Sequence, residues 1–166
     1  FYQDSESELW IGSWEEGLFR VKADGTIENF KYNAKDPHSL SSNFVRACCE
    51  DNLGNIWIGT FNGLNRYNKI TGLFQNHTAN DTQADGLTHS SIWCIVKDNQ
   101  GTLWLGTYFG GVTYFNPEYE IYTRYSYSSN EKKGLSNPVV GRTIEDKDDN
   151  LWIGTEGGGL NYYNRS

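Results

Sequence analysis

The fold of this chain is decided by one stretch of sequence, Glu50-Asp51-Asn52-Leu53-Gly54-Asn55-Ile56-Trp57-Ile58-Gly59-Thr60. Its last four residues have counterparts spaced by 47 or 48 residues, at Trp10–Ser13, Trp104–Thr107 and Trp152–Thr155. Self-similarity at a fixed period of this length is the signature of a repeat architecture. The sequence therefore predicts four related units within 166 residues.

The residues around each tryptophan keep the same register. An aspartate lies six positions before each one, at Asp4, Asp51, Asp98 and Asp146. A glycine and an aliphatic residue follow each one, at Gly17-Leu18, Gly63-Leu64, Gly111-Val112 and Gly159-Leu160. A leucine and a hydroxyl residue come eleven positions before the last three aspartates, at Leu40-Ser41, Leu87-Thr88 and Leu135-Ser136. The repeat thus extends over the whole chain.

Within one unit the pattern predicts four short strands. The segment from Asp51 to Gly54 is typical of a turn, with an aspartate to bond the backbone ahead and a glycine for a left-handed dihedral. Asn62-Gly63 predicts a hairpin, and no window carries the apolar stripe of an amphipathic helix. Four antiparallel strands in about 47 residues match the size of a propeller blade.

The fold class is therefore all-β: a β-propeller segment of about four four-stranded antiparallel blades, with the first and last incomplete. We expect it to be a fragment of a larger ring, because 166 residues hold only about 3.5 such units. The predicted blade boundaries are 1–36 for an incomplete blade, 37–83 and 84–130 for two whole blades, and 131–166 for a second incomplete blade.

Composition limits the classes of partner. With 14 basic and 21 acidic side chains the net charge is −7, which argues against a nucleic-acid partner. No apolar stretch approaches the roughly 20 residues that cross a bilayer, so direct membrane contact by this segment is not expected. The three cysteines, Cys48, Cys49 and Cys94, lack the spacing of a disulfide framework or a zinc site. We expect buried thiols, no metal and no cofactor.

The repeated tryptophans are predicted to form the core and not a sugar platform. A buried indole removes about 150–250 Å² from water, an amount of surface that explains one tryptophan per blade by packing alone. The glycine two positions after each tryptophan is expected to leave space where neighbouring sheets approach closely.

The second unit, with Leu40-Ser41-Ser42-Asn43, Glu50–Thr60 and Gly63–Tyr67, resembles the two-component regulator propeller repeat. The third and fourth units resemble it equally well over 98–115 and 146–163. Ser7 and Asp149 stand where the inner units have glycine, and an aspartate tolerates the left-handed conformation.

That resemblance implies a propeller of seven blades in the periplasmic region of a hybrid two-component sensor histidine kinase/response regulator, with the parent protein anchored in the inner membrane. It implies a non-catalytic segment that senses oligosaccharides from glycan breakdown. The expected partners are an oligosaccharide and either the remaining blades of the parent chain or another copy. Two alternatives stay open, a propeller enzyme acting on glycans as a lyase or hydrolase, and a purely structural protein-interaction propeller.

Candidate ligand-binding residues follow from propeller architecture, in which the loops between second and third strands meet the links between blades around the central channel. Those loops place four residues at equivalent positions after the Gly-Ser/Thr pair: Trp14, Phe61, Tyr108 and Glu156. The starts of the first strands add Arg46, Trp93 and Arg142.

Aromatic rings can stack on sugar C–H faces, and an arginine can hold an acidic sugar in a bidentate pair. Equally, the aromatic rings could cover the hairpins, and the arginines could pair with Glu50 or Glu145. No catalytic residue is predicted, because an enzyme would need a carboxylate or histidine cluster and only Glu16 and Glu156 are placed near the rim.

Overall fold

A computed structural model describes residues 1–79, 86–119, 121–129 and 134–165. Throughout these ranges the regular secondary structure consists of β-strands. The described ranges contain no helix that could span a bilayer.

The strands form four antiparallel sheets, which are the blades. Blade 1 holds β1 (Tyr2–Gln3), β2 (Leu9–Gly12), β3 (Leu18–Val21) and β4 (Ile27–Phe30). Blade 2 holds β5 (Val45–Glu50), β6 (Ile56–Thr60), β7 (Gly63–Asn68) and β8 (Leu73–His77). Blade 3 holds β9 (Ile92–Lys97), β10 (Leu103–Thr107), β11 (Val112–Phe115) and β12 (Tyr122–Tyr125). Blade 4 holds β13 (Val140–Glu145), β14 (Leu151–Thr155) and β15 (Gly159–Tyr163).

Every sheet keeps its strands in chain order, so each blade is a meander. Strand β9 contacts β5 on one side and β13 on the other, and these first strands therefore line the centre of the arc. The predicted propeller segment is confirmed; within the described residues blade 4 has three strands, whereas blade 1 has four, of which β1 is only two residues long. The predicted boundary at 36/37 falls between β4 and β5, whereas those at 83/84 and 130/131 lie outside the described residues.

Asp51 shows how the first strand of a blade turns into the second. Its Oδ1 accepts hydrogen bonds from the backbone N–H groups of Leu53 and Asn55, each at 2.9 Å. Its Oδ2 accepts the indole N–H of Trp57 at 2.7 Å. The same three bonds recur at Asp4, Asp98 and Asp146. The sequence predicts the backbone bonds but not the indole bond, which explains the fixed spacing of six residues.

The fourth position of this turn requires a left-handed backbone in every blade. Gly54 and Gly101 have φ values of 79° and 83°. Ser7 and Asp149 occupy the same position with φ values of 65° and 62°. The polar residues therefore adopt the conformation that the sequence pattern requires of them.

Three of the four repeated tryptophans lie between neighbouring blades. Trp57 is fully buried in a cluster with Ile92 and Leu103 of blade 3, and Trp10 and Trp104 occupy the corresponding places in the interfaces before and after it. At ~25 cal/mol/Å², each buried indole contributes about 4 to 6 kcal/mol of gross stabilisation, an upper bound. The predicted core role is confirmed for these three rings.

Blade 4 carries the side chains of an interface that no described residue covers. Leu160 is opposite Gly154 in the sheet, as Leu64 is opposite Gly59 in blade 2. Leu64 is fully buried, but Leu160 is 63% exposed, and Trp152 is only partly buried for the same reason. The uncovered face of blade 4 thus carries the same kinds of residue as the faces that are buried between blades.

Candidate ligand-binding rim around the inner strands

The first strands of blades 2, 3 and 4 each leave one residue outside the ladder close to the strand start. The unpaired residue is Arg46 in β5, Trp93 in β9 and Gly141 in β13. Such bulges redirect a side chain and are frequent beside functional sites. Of the three residues that the sequence places at the starts of these strands, Arg46 and Trp93 are thus the bulged ones, whereas Arg142 stays in the ladder opposite Gly154.

The hairpin of each blade is bonded to the link that enters the next one. The backbone N–H groups of Gly17, Gly63 and Gly111 donate to the carbonyls of Asn43, Ser90 and Pro138, at 3.1, 2.8 and 2.9 Å. These bonds bring the hairpin loops and the links together at one end of the strands. The predicted convergence on one face is confirmed.

Arg46 connects three blades at this end of the molecule. Its guanidinium carbon lies 4.8 Å from the ring centroid of Trp14 in blade 1 and 4.2 Å from that of Trp93 in blade 3. Cation–π contacts of this kind contribute about 0.5–1 kcal/mol each at exposed sites and more when desolvated. The arginine is therefore held by rings and not by carboxylates.

The aromatic contacts continue on both sides of Arg46. Trp93 stacks on Tyr108 with centroids 4.9 Å apart, and Tyr108 meets the edge of Phe109 at 4.3 Å. Phe44 contacts both Trp14 at 5.5 Å and Phe61 at 6.2 Å. We call this group the rim cluster, and its members are Trp14, Phe44, Arg46, Phe61, Trp93, Tyr108 and Phe109.

Five of the seven predicted site residues thus lie together, and two members of the cluster were missed. Phe44 directly precedes β5, and Phe109 follows Tyr108 in the blade 3 hairpin. Neither occupies a position that repeats as an aromatic residue in the other units. Only their adjacency to strand ends could have signalled them.

Glu156 has the predicted backbone position but lies outside the rim cluster. Its N–H donates to the carbonyl of Val139 at 3.0 Å, as that of Phe61 donates to Phe44 in blade 2. Its side chain is exposed, and within the described chain no hydrogen bond or ion pair engages its carboxylate. A ligand bound at the rim cluster would have to extend beyond the cluster to contact Glu156.

A concave face of about 610 Å³ lies beside the cluster, between the first strands. Its lining comes mostly from β5, β9 and β13. Three lining residues are basic, Arg46, Lys97 and Arg142, and one is acidic, Glu145. This local excess of positive charge contrasts with the net charge of −7 of the whole chain.

The two acids proposed as alternative partners of the arginines are engaged elsewhere. Glu50 accepts from the Lys69 ammonium at 2.8 Å, and Glu145 is paired with the Arg165 guanidinium at 3.4 Å. No ion pair involving Arg46, Lys97 or Arg142 occurs in the part of the chain that is described. The alternative in which the arginines pair with these acids is therefore not seen among the described residues.

Three donor atoms beside the rim are buried without a partner in the described structure: Arg46 Nε, Ser91 Oγ and Trp93 Nε1. Buried donors are rarely left unsatisfied in native proteins, and each such atom calls for a water molecule, an ion or a ligand. They lie at the starts of two neighbouring strands, Arg46 in β5 and Ser91 and Trp93 at the start of β9.

The described residues give little support to catalysis. Glu16 is paired with the Lys31 ammonium at 2.5 Å, and both side chains are at least half exposed. Across the described ranges there is no cluster of three or more His, Cys, Asp or Glu side chains that could hold a metal ion. The three cysteines are free thiols. Burial raises the pKa of Cys48 to about 12 and that of Cys49 to about 11, so neither is an activated nucleophile.

Solved structures share this architecture. The extracellular domain of BT4673 from B. thetaiotaomicron, described as a hybrid two component system, matches with a TM-score of 0.75 and 24% identity over 99% of this chain and 21% of that one. Virginiamycin B lyase from Staphylococcus aureus matches with a TM-score of 0.68 and 15% identity, over 98% of this chain and 53% of that one. The WD40 propeller of Doa1 has the same TM-score at 13% identity, over 98% of this chain and 48% of that one. The chain thus spans about a fifth of the BT4673 structure.

The sequence comparisons identify the repeat. No curated protein sequence matches the chain significantly. A family model described as "Two component regulator propeller" matches residues 39–62, 86–109 and 134–157. These three matches carry the Leu-Ser/Thr pair, the aspartate turn and the Trp-aliphatic-Gly-Thr string of blades 2, 3 and 4. Three units of this β-propeller segment thus match the two-component regulator propeller repeat.

Proposed function

We propose that this chain is a ligand-sensing segment of the periplasmic region of a hybrid two-component sensor, with the rim cluster as its ligand-binding surface. The observation that carries the proposal is the contrast between a repeated scaffold and a variable rim. Residues at one backbone position, Phe61, Tyr108 and Glu156, differ in chemistry while the surrounding hydrogen bonds are the same. A binding surface needs such a fixed frame with changing side chains.

The repeat family and the fold of BT4673 support this assignment, since that structure is described as an extracellular domain of a hybrid two component system. On this proposal the parent chain carries further blades, a histidine kinase and an anchor in the inner membrane. The chain itself performs no catalysis. Its fold likeness to virginiamycin B lyase, at 15% identity, transfers no catalytic group.

The proposed ligand class is an oligosaccharide. Trp14, Phe61 and Phe109 are all more than half exposed, although each touches another ring or sits beside one. Exposed aromatic faces beside hydrogen-bonding groups are suited to sugars, whose C–H faces are apolar and whose edges carry hydroxyls.

A glycan array followed by calorimetry tests this proposal. We expect the chain to bind at least one oligosaccharide, and we expect the combined Trp14→Ala, Tyr108→Ala and Glu156→Ala changes to remove that binding. Tyr119→Ala is the control, because Tyr119 is 70% exposed but lies after β11, outside the rim cluster. Unchanged affinity in the triple variant would reject the rim as the sensing surface.

A further inference from the structure

We propose that the concave face beside the rim cluster binds an anionic group, and that the sensed saccharide therefore carries a carboxylate or a sulfate. The inference rests on the proposed sensing function and deepens it by naming the charge of the ligand. Arg46 is the residue that would contact the anion.

The first argument is the distribution of ion pairs. Six basic side chains pair with carboxylates of described residues, namely Arg20, Lys22, Lys31, Lys69, Lys147 and Arg165. The three basic residues that line the concave face, Arg46, Lys97 and Arg142, are not paired within the described residues. In a chain with seven excess acidic charges, three unpaired cations on one concave face favour an external anion.

The second argument is the geometry around Arg46. The bulge in β5 takes this residue out of the ladder, and the indoles of Trp14 and Trp93 hold the guanidinium at 4.8 and 4.2 Å. Stacking uses the faces of a guanidinium and leaves its N–H edge for hydrogen bonds. Among the described residues no acceptor bonds this guanidinium, and a planar fork of this kind suits a carboxylate or a sulfate.

The third argument is the combination of this cation with ring faces. Trp14 is 59% exposed next to Arg46, and Phe109 is exposed at the other end of the cluster. A simple inorganic anion would use the guanidinium alone, whereas an acidic saccharide would also cover the rings. The combined chemistry therefore fits an acidic saccharide better than a small ion.

The experiment titrates the 166-residue chain with four probes: α-1,4-digalacturonate, the neutral galactobiose, a sulfated galactobiose and inorganic sulfate. Binding is measured by calorimetry, with tryptophan fluorescence as a second signal to which Trp14 and Trp93 contribute among six tryptophans. We expect at least one acidic disaccharide to bind about tenfold or more tightly than the neutral one, and its affinity to fall as salt rises. We expect inorganic sulfate to bind more weakly than the acidic disaccharides.

Two variants connect the binding to the arginine. Arg46→Gln should weaken the acidic disaccharide by about tenfold or more. Arg66→Gln is the matched control, because Arg66 also lies over a blade tryptophan, 5.8 Å from the Trp57 ring, but belongs to β7 away from the channel. The affinity of the Arg66→Gln variant for the acidic disaccharide should change by less than about twofold. Circular dichroism and thermal unfolding establish that both variants are folded, and Arg46→Lys, which keeps the charge, should retain part of the affinity.

Every other outcome contradicts the inference. Equal binding of acidic and neutral disaccharides, or acidic binding that survives in Arg46→Gln, would overturn the anionic class and leave the sensing proposal intact. Absence of binding by all three anionic probes would overturn the anion site. Sulfate binding as tight as that of the acidic disaccharides would assign the face to small anions and not to saccharides.

Discussion

A Cβ atom placed on Gly59 of blade 2 would lie 2.8 Å from Cγ2 of Ile92 in blade 3. Gly12 meets Val45, and Gly106 meets Val140, at 2.7 Å in the same way. The glycine that follows each tryptophan is therefore the place where a blade admits the first strand of the next. The sequence-based expectation that this glycine supplies space is confirmed at these three interfaces.

We expect Gly59→Ala to lower the free energy of unfolding by about 1–3 kcal/mol, because the added methyl group overpacks the interface with Ile92. Gly154→Ala is the matched control, since its Cβ would meet only the carbonyl oxygen of Arg142 at 3.5 Å. That change should be neutral or stabilise by up to about 1 kcal/mol, as alanine replaces glycine in a strand. Urea unfolding measures both, and equal destabilisation would show that Gly59 is not required as space for Ile92.

The second prediction concerns the carboxylate that joins turn and core. Asp51→Ala removes acceptors for two backbone N–H groups and for the indole of Trp57. Bonds to a charged acceptor contribute about 1.5–3 kcal/mol each. We expect a loss of at least about 3 kcal/mol in thermal or urea unfolding. Asp146→Ala in blade 4 should cost less, because Trp152 is only partly buried. A larger loss for Asp146 would contradict this explanation.

The repeat made the scaffold predictable but left the rim partly hidden. Strand ends, turns and core tryptophans follow from local patterns that recur in every unit. The bulge at Arg46 does not follow from such a pattern, because the residues of β5 are compatible with a regular strand and with a strand that contains one extra residue. The stacking of Arg46 on Trp14 and Trp93 joins three blades, and no single unit contains that information.

The third prediction is the acid sensitivity of the contact between blades 1 and 2. Burial alone would raise the pKa values of Asp4 and Glu50, but hydrogen bonds outweigh burial and lower both pKa values. Asp4 accepts such bonds from Trp10 and Lys69. Glu50 accepts them from Lys69 and Ser5. The folded state therefore prefers the ionised carboxylates more than the unfolded chain does. The ionised carboxylates contribute fully to the free energy of unfolding when the pH is above their ordinary pKa values of 3.8 and 4.5. This contribution is lost as the pH falls through the lowered pKa values of the folded state.

Lys69→Met should make the fall in stability between about pH 5 and pH 3 shallower, because the ammonium no longer favours ionised carboxylates. Urea unfolding at a series of pH values measures this slope. Lys147→Met is the control, since the Lys147 side chain is 90% exposed and, among the described residues, pairs with the neighbouring Asp148 alone, at 3.6 Å. An unchanged slope in the Lys69 variant would show that the ion cluster does not govern acid stability.

The fourth prediction concerns thiol reactivity. Burial raises the pKa of Cys48 to about 12 and that of Cys49 to about 11, and it also raises the pKa of Cys94. Because the thiolate is the reactive species, the folded chain should react slowly with Ellman's reagent near pH 8. In denaturant all three thiols should react quickly. Equal rates in the two conditions would show that at least one thiol is accessible and activated.

The last prediction concerns the uncovered face of blade 4. Leu160 holds a position that is fully buried in the three preceding blades, at Leu18, Leu64 and Val112. Exposing such a surface favours association, since every 100 Å² of apolar area removed from water contributes about 2.5 kcal/mol. We propose that the isolated chain self-associates through this face, which further blades would cover in the parent.

Sedimentation velocity tests the proposal with two substitutions. Leu160→Lys should shift the chain towards monomer, because it places a charge in the contact. Ile70→Lys is the matched control, since Ile70 is 95% exposed but lies in the turn between β7 and β8, away from the uncovered face of blade 4. The Ile70→Lys variant should sediment like the unmodified chain. A stable monomer at micromolar concentration in the unmodified chain would refute self-association, because the exposed Leu160 would then be tolerated in water without a cover.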